Sequence, residues 1–366
     1  MYKQHKIRQW LGWFDSVINW RKPHLGLLCA ASTFLVLAAP TMMELPGSKL
    51  LAQKSISQDL TTASLYQQGV TRYNRNDLQA AESAFRLALE RDPNLGMARK
   101  YLGNILLMQN RLDLAVQEYG EAVRINPNLG EAYYNMGLAL HRQGQKEAAI
   151  TAYRQALVID PTQSATQYNL GLALYELGQV EEAIAAYQEA INLDSSNAKA
   201  YFNLAIAQQG EGQIDLAIAS YQQVVELDPQ NARAFNNIAS LRAIQGQTSE
   251  AISVYRQAIR LSRQNPDAYY NLGVLLYNQG ELHQANRLLQ RAQTAYQEQG
   301  NLQEYQKIAE LKQQIAQVIE QQRPATQTAT ATENASTPAN ILIQRLPPGY
   351  VPVYIDEWPT STTPEQ

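Results

Sequence analysis

The fold class that this sequence predicts is all-α: a solenoid of stacked helical hairpins, closed by a C-terminal cap helix and preceded by one N-terminal membrane segment. Three observations predict it. The chain of 366 residues is similar to itself at a period of 34 residues across positions 62–299. Within that period, small, aromatic and turn-forming residues recur at fixed slots. Ahead of it stands a run of 19 residues, 25–43, without a single charge. A period of this length is the signature of a helical array, in which each hairpin buries its apolar face only by stacking on its neighbours.

The order along the chain begins with a basic segment, 1–24. There Ile7, Trp10, Leu11, Phe14, Val17 and Ile18 recur at helical spacing, with Trp13 and Trp20 beside the stripe. Residues 25–43 come next, LGLLCAASTFLVLAAPTMM. At ~1.5 Å per residue this run spans about 28 Å, close to the ~30 Å hydrocarbon core of a bilayer. Lys3, Lys6, Arg8, Arg21 and Lys22 precede it, and only Glu44, Lys49 and Lys54 lie closely after it. That imbalance predicts a cytoplasmic N-terminus and an extracytoplasmic body. Two readings stay open: an interfacial amphipathic helix leading into a single-pass anchor, or the n-region of a secretory signal, with cleavage near Ala52 and a secreted or periplasmic product. Cys29 does not fit a lipoprotein site, because Leu28 stands where a small residue is required. As the one cysteine, it can form no disulfide within the chain. Residues 44–61 read as a linker.

Seven units then succeed one another without insertion: 62–95, 96–129, 130–163, 164–197, 198–231, 232–265 and 266–299. Slot 8 is Gly or Ala in all seven (Gly69, Gly103, Gly137, Gly171, Ala205, Ala239, Gly273), and slot 20 is always Ala. Slot 24 is aromatic in six: Phe85, Tyr119, Tyr153, Tyr187, Tyr221 and Tyr255, then Leu289. Slot 15 is Asn or Gly, residues that tolerate the left-handed backbone of a turn. Small residues at slots 8, 20 and 27 let two helices approach, and the large ring fills the groove beside them. Proline at slot 32 (Pro93, Pro127, Pro161, Pro229) ends the second helix. The seventh unit lacks it, so its second helix is expected to run on. In 300–322, Leu302, Tyr305, Ile308, Leu311, Ile315 and Ile319 form one apolar stripe on a helix that caps the open stack. From 323 to 366 the composition turns to Pro, Thr, Ala and Ser, which reads as a disordered tail. Within it, 341–358 (ILIQRLPPGYVPVYIDEW) is more apolar than a linker needs: either a docking peptide or a segment that folds back on the stack.

Charge narrows the partners. Residues 1–58 carry seven Lys/Arg against two Asp/Glu, residues 59–322 carry 21 against 27, and residues 323–366 two against four. A mildly acidic body argues against nucleic acid, and the basic N-terminus points to a membrane surface. No Gly-rich phosphate loop, nucleophile elbow, paired-carboxylate motif or metal-ligand spacing appears, so neither an enzyme, a cofactor, a metal nor a small-molecule substrate is expected.

The slot pattern resembles the tetratricopeptide-repeat family over residues 62–299. The resemblance implies a right-handed superhelix whose first helices line a groove, with slots 2, 5, 6, 9, 12 and 13 facing into it. Slot 6 then supplies a ladder of amides, Asn135, Asn169, Asn203, Asn237 and Asn271, expected to face water and to bond the backbone of an extended peptide. Slot 5 adds Tyr134, Tyr168, Phe202 and Tyr270 as a floor. The plainer reading is that these side chains bond or pack against the neighbouring repeat. Lys100, Asn104 and Asn135 match part of a carboxylate clamp known in the family, but Ala165 and Asn169 carry no charge where its last two residues would stand. The implied function is a membrane-tethered scaffold that binds extended segments of other proteins as an assembly factor or adaptor. The alternative is a structural subunit of an envelope, secretion or pilus-type complex.

Overall fold

The computed structural model describes residues 46–322, with side chains from Asp59 onward. The expected membrane segment at 25–43, the basic segment before it and the tail after 322 lie outside the described residues. Among the described residues no helix is long and apolar enough to cross a membrane. The chain divides into two units between Lys54 and Ser55, and all the repeats belong to the second.

Fifteen helices and no strand make up the described residues: α1 (Pro46–Asn74), α2 (Leu78–Arg91), α3 (Gly96–Met108), α4 (Leu112–Ile125), α5 (Gly130–Arg142), α6 (Lys146–Ile159), α7 (Ser164–Glu176), α8 (Val180–Leu193), α9 (Ala198–Gly210), α10 (Ile214–Leu227), α11 (Ala232–Ile244), α12 (Thr248–Leu261), α13 (Pro266–Asn278), α14 (Leu282–Glu298) and α15 (Leu302–Gln322). The 34-residue period is reproduced to the residue. Every first helix from α3 to α13 starts at slot 1 and every second helix at slot 17. Residues 46–61, expected to be linker, belong instead to α1, which is continuous into the first unit.

The turn within each hairpin stems from slot 15. Asn76 and Asn110 have φ of 58°, and Gly144, Gly178, Gly212, Gly246 and Gly280 lie between 71° and 82°. This lets the chain fold back so that the next amide reaches the end of the first helix: Gln145 N–H donates to the Leu140 carbonyl at 2.9 Å, and Gly144 N–H to that of His141 at 2.8 Å. Orphaned terminal carbonyls are thereby satisfied. The second helix ends at a device that slot 31 supplies. Asp92, Asn126, Asp160, Asp194 and Asp228 each accept a bond from the backbone N–H two residues on, at 2.9–3.2 Å. Proline at slot 32 sits inside that turn.

Small and large residues mesh as their slots predict. A Cβ placed on Gly103 would stand 2.6 Å from the Tyr119 ring, and one on Gly137 2.6 Å from Tyr153. Tyr119, Tyr153, Tyr187 and Tyr221 are fully buried. From α3 onward each first helix packs on its own second helix, from α2 onward each second helix packs on the next first helix, and the first helices α3 and α5, α5 and α7, α7 and α9, and α11 and α13 also touch. The last second helix, α14, runs to 17 residues against 14 in the others. The missing proline alone does not explain this, because the fourth and sixth units carry Ser195 and Arg263 at slot 32 and still stop at 14 residues; the seventh unit also has Tyr296 at slot 31, where the others have Asp, Asn or Ser to end the helix. On it lies α15, burying Ile308, Leu311 and Ile315, each such side chain contributing ~1.5–3 kcal/mol. Leu302, expected in the same stripe, is 66% exposed, because it opens the helix at the turn after Gly300.

Candidate functional site

Slots 5, 6, 9, 12 and 13 recur on the first helices, and the contacts among them form a line of side-chain bonds from repeat to repeat. Tyr134 Oη accepts from Asn169 Nδ2 at 3.2 Å, and Tyr168 Oη accepts from Asn203 Nδ2 at 3.1 Å. Each pair joins slot 5 of one repeat to slot 6 of the next. Where slot 5 offers no hydroxyl, the next amide turns elsewhere. Lys100 occupies slot 5 of the second repeat, and Asn135 Nδ2 donates instead to Asn104 Oδ1 at 3.0 Å. Phe202 occupies it in the fifth, and Asn237 Nδ2 donates to Tyr221 Oη at 3.0 Å. Asn236 occupies it in the sixth, and its Oδ1 accepts from Asn271 at 3.3 Å.

These bonds correct the expectation that the amide ladder faces water. Asn135 and Asn203 are 2% exposed and Asn237 is 8% exposed, while Asn169 and Asn271 are half-buried. The physical reason is the close approach of successive first helices. It brings slot 6 against slot 5 of the preceding repeat, and a buried amide must then find a protein partner. Phe202 and Tyr168 are likewise buried, and only Tyr134 and Tyr270 of the slot-5 floor keep part of their surface. Burial raises the Tyr134 phenol to about 12, against the lowering effects of the Asn169 bond and the Arg142 charge.

The partial clamp is occupied from within. Lys100 Nζ donates to Glu131 Oε2 at 2.6 Å and lies 4.8 Å from the centre of the Tyr101 ring. Asn104 Oδ1 accepts both from Asn135 and from Tyr119 Oη, the latter at 2.7 Å. Further along, His141 Nε2 lies 3.3 Å from Glu176 Oε2, to which Lys146 Nζ also approaches at 3.0 Å. The bond from His141 holds the Glu176 carboxyl below the usual carboxylate range, against the raising effect of burial.

The buried slot-24 phenols are satisfied where slot 9 or the next slot 6 turns towards them. Tyr119 has Asn104, Tyr221 has Asn237, and Tyr255 has Ser240 at 2.8 Å. Tyr153 and Tyr187 have no such partner among the described residues. Leu138 and Leu172 fill slot 9 beside them, and the amides of Asn169 and Asn203 are drawn off by Tyr134 and Tyr168. Accessible recognition surface on this face therefore comes from Tyr134, Tyr175, Tyr270 and Tyr277, which are half-buried, with Met97, Arg233 and Ile244 exposed. Tyr175 and Tyr277 belong to slot 12.

A face of this kind, stiff within and varied at its accessible slots, defines a helical-repeat interaction protein. Family models described as TPR repeat match residues 103–144, 142–178, 171–212 and 239–280. Models described as tetratricopeptide repeat match 62–95, 198–231, 220–253 and 267–298. The chain belongs to the tetratricopeptide-repeat family, whose members are typically non-enzymatic protein–protein interaction scaffolds. No curated protein matches it. Among solved structures, the C-terminal part of a TPR repeat-containing protein from Cytophaga hutchinsonii superposes with a TM-score of 0.55 at 17% identity, covering 63% of this chain and 95% of its own. YrrB, described as a TPR protein with an unusual peptide-binding site, gives 0.48 at 26% identity, covering 51% of this chain and 97% of its own. MamA from Desulfovibrio magneticus RS-1 gives 0.44 at 22% identity, covering 46% and 95%.

Proposed function

We propose that the chain is a membrane-tethered scaffold that holds extended segments of partner proteins along the first-helix face, as an assembly factor or adaptor. The observation that carries this reading is the division of labour on that face. Buried amides and phenols wire neighbouring repeats together, while Tyr175, Tyr270 and Tyr277 are half-buried and Tyr134, whose hydroxyl accepts from Asn169, also keeps part of its surface. Such aromatic side chains give large contact area and a polar tip, the usual chemistry of a protein-binding groove. Tethering rests on residues 25–43 and their basic flank. Catalysis has no part in this reading.

A second reading, a structural subunit of a larger complex, draws on exposed apolar side chains of the second helices: Leu87, Leu114, Val158, Leu216 and Leu227. A photo-crosslinking residue at Tyr175 or at Val158, which is 76% exposed, separates the two in intact cells. Crosslinks formed from position 175 and absent from position 158 fit the scaffold, and the reverse pattern sinks it in favour of the subunit. A reporter active only in the cytoplasm, fused after Gln366, is expected to be silent. A strong signal would overturn the proposed topology.

A further inference from the structure

A second surface lies on the other side of the stack, lined by none of the slots that face the groove. Helices α12, α13 and α14 enclose a depression of about 760 Å³. Its floor is apolar: Ile259, Tyr269, Leu272, Leu276 and Leu288. Its rim carries four exposed arginines, Arg256 and Arg260 from α12, Arg287 and Arg291 from α14.

The arginines are placed in a way that folding alone does not favour. Each helix carries its two at positions i and i+4, where like charges repel by a few tenths of a kcal/mol, and the two pairs border the same depression. Elsewhere on the second helices, three of four arginines are paired with carboxylates, Arg86 with Glu82, Arg124 with Glu121 and Arg154 with Glu182, at 2.6–2.8 Å, and Arg91 bonds the Leu87 carbonyl of its own helix. None of the four rim arginines has a carboxylate partner among the described residues; Arg291 only lies over the Tyr269 ring at 5.8 Å. No other repeat carries arginine at both slots 25 and 29, or at both slots 22 and 26. An occupant that fits must bring carboxylates for the rim and apolar side chains for the floor.

The chain itself contains such a segment. Residues 351–358 read VPVYIDEW, with Tyr354, Ile355 and Trp358 around the adjacent carboxylates Asp356 and Glu357. We propose that this segment docks in the arginine-rimmed depression of its own chain. Arginine is the cation suited to forked pairing with carboxylates, and a volume of this order holds one or two large side chains. Connection poses no obstacle. Helix α15 packs on α14, where Lys312 bonds Gln290, a residue of the depression, and Gln293. From its last residue, Gln322, to Val351 there are 28 intervening residues, able to span up to about 90 Å at ~3.3 Å per residue. A membrane surface could meet the rim but has no side chains to fill the floor.

The sequence offers a direct probe. Of four tryptophans, Trp10, Trp13 and Trp20 precede the repeats and Trp358 alone comes after them. In the full chain with the first three changed to Phe, Trp358 is expected to emit at short wavelength and to be quenched by acrylamide severalfold less than free tryptophan. Arg287→Glu with Arg291→Glu, and separately Arg256→Glu with Arg260→Glu, should shift the emission to that of a water-exposed indole without loss of helical circular dichroism. Adding Asp356→Arg and Glu357→Arg to the first pair should restore the shielding. An indole already exposed in the unaltered chain, or one indifferent to both arginine pairs, overturns the proposal. Shielding lost on dilution would give the segment to a second copy, and arginine-dependent binding to phosphatidylglycerol vesicles with Trp358 unaffected would give the surface to lipid; either overturns it.

Discussion

Replacing Asn135, Asn203 and Asn237 together by Ala should destabilise the repeats. Each amide nitrogen donates a bond at 3.0–3.1 Å to a group on another helix, and each residue is at least nine-tenths buried. Taking a partner from a buried polar group costs ~1–3 kcal/mol. Against that, Ala is a better helix former than Asn by ~0.6 kcal/mol. The balance is a loss of about 0.5–2.5 kcal/mol per site. The three sites lie in the third, fifth and sixth repeats and donate to three different acceptors, so their costs should add to about 1.5–7.5 kcal/mol. Urea unfolding followed by circular dichroism reads this as a lowered midpoint at similar slope. Asn169→Ala is the comparison: its amide is only half-buried and also bonds the Ala165 carbonyl of its own helix at 2.9 Å, so the loss should be smaller. An unchanged or raised midpoint in the triple variant would refute the reasoning and return these amides to the role of water-facing ligand contacts.

Gly137→Ala forces a methyl against the Tyr153 ring, an overpacking cost of ~1–3 kcal/mol that outweighs the ~1 kcal/mol gained in helix propensity. Gly120→Ala, with no neighbour within 4 Å, keeps only the gain, so the two variants should move the thermal midpoint in opposite directions. Because Glu176 titrates below its ordinary range when folded, its contribution is complete above the unfolded value of about 4.3 and fades as pH falls through the folded one. Glu176→Gln should therefore lower stability at neutral pH and flatten its decline as pH falls below about 5; an unchanged acid profile would contradict the His141 contact. Burial raises the phenols of Tyr119, Tyr153 and Tyr187 well above their usual value. Above about pH 10 the unfolded chain releases phenolic protons that the native one retains, so stability falls as pH rises. Tyrosinate absorbance should then appear in two phases, the later one together with loss of helix, and a single step with helix intact would disprove it.

How much of the fold and of the first-helix face is legible in the sequence depends on whether a feature belongs to one repeat or to two. Helix starts at slots 1 and 17, positive φ at slot 15 and the meshing of slot 8 with slot 24 are local to a hairpin, and the residue types alone state them. Partners of the slot-6 amides are not local. Whether Asn135 bonds Asn104, or Asn203 bonds Tyr168, depends on a side chain 31 or 35 residues away. Burial of those amides depends in turn on how closely first helices stack. The Asx turns at slot 31 have a visible signal in Asp92, Asn126, Asp160, Asp194 and Asp228, but the proline beside four of the seven slots is the louder one. The paired arginines of α12 and α14 are visible too, yet only the packing of those helices shows that they border one depression.

The changing partners along the first-helix face bear on specificity. A wall whose inner bonds are remade at each junction, by Tyr134, Tyr168, Tyr221 or Asn236 as the neighbour allows, keeps one geometry while its chemistry varies. Bonds spent inside the wall cannot also discriminate between ligands. Discrimination then falls to the slots that the wall does not consume. Slot 2 runs Met97, Glu131, Ala165, Lys199, Arg233 and Asp267 from the second repeat to the seventh, differing in charge and size while slot 6 is Asn from the third repeat to the seventh. Of these, Glu131 is held by Lys100 and Asp267 accepts from Tyr296. Met97 and Arg233 are exposed and Lys199 is half-buried. Arg233 also lies over the Phe202 ring, 5.3 Å from its centre, so an extended segment lying along this face would meet an apolar contact at the second repeat and, at the fifth and sixth, cations already engaged within the wall. What differs along this face from repeat to repeat is therefore slot 2, and what recurs is the amide wiring beneath it.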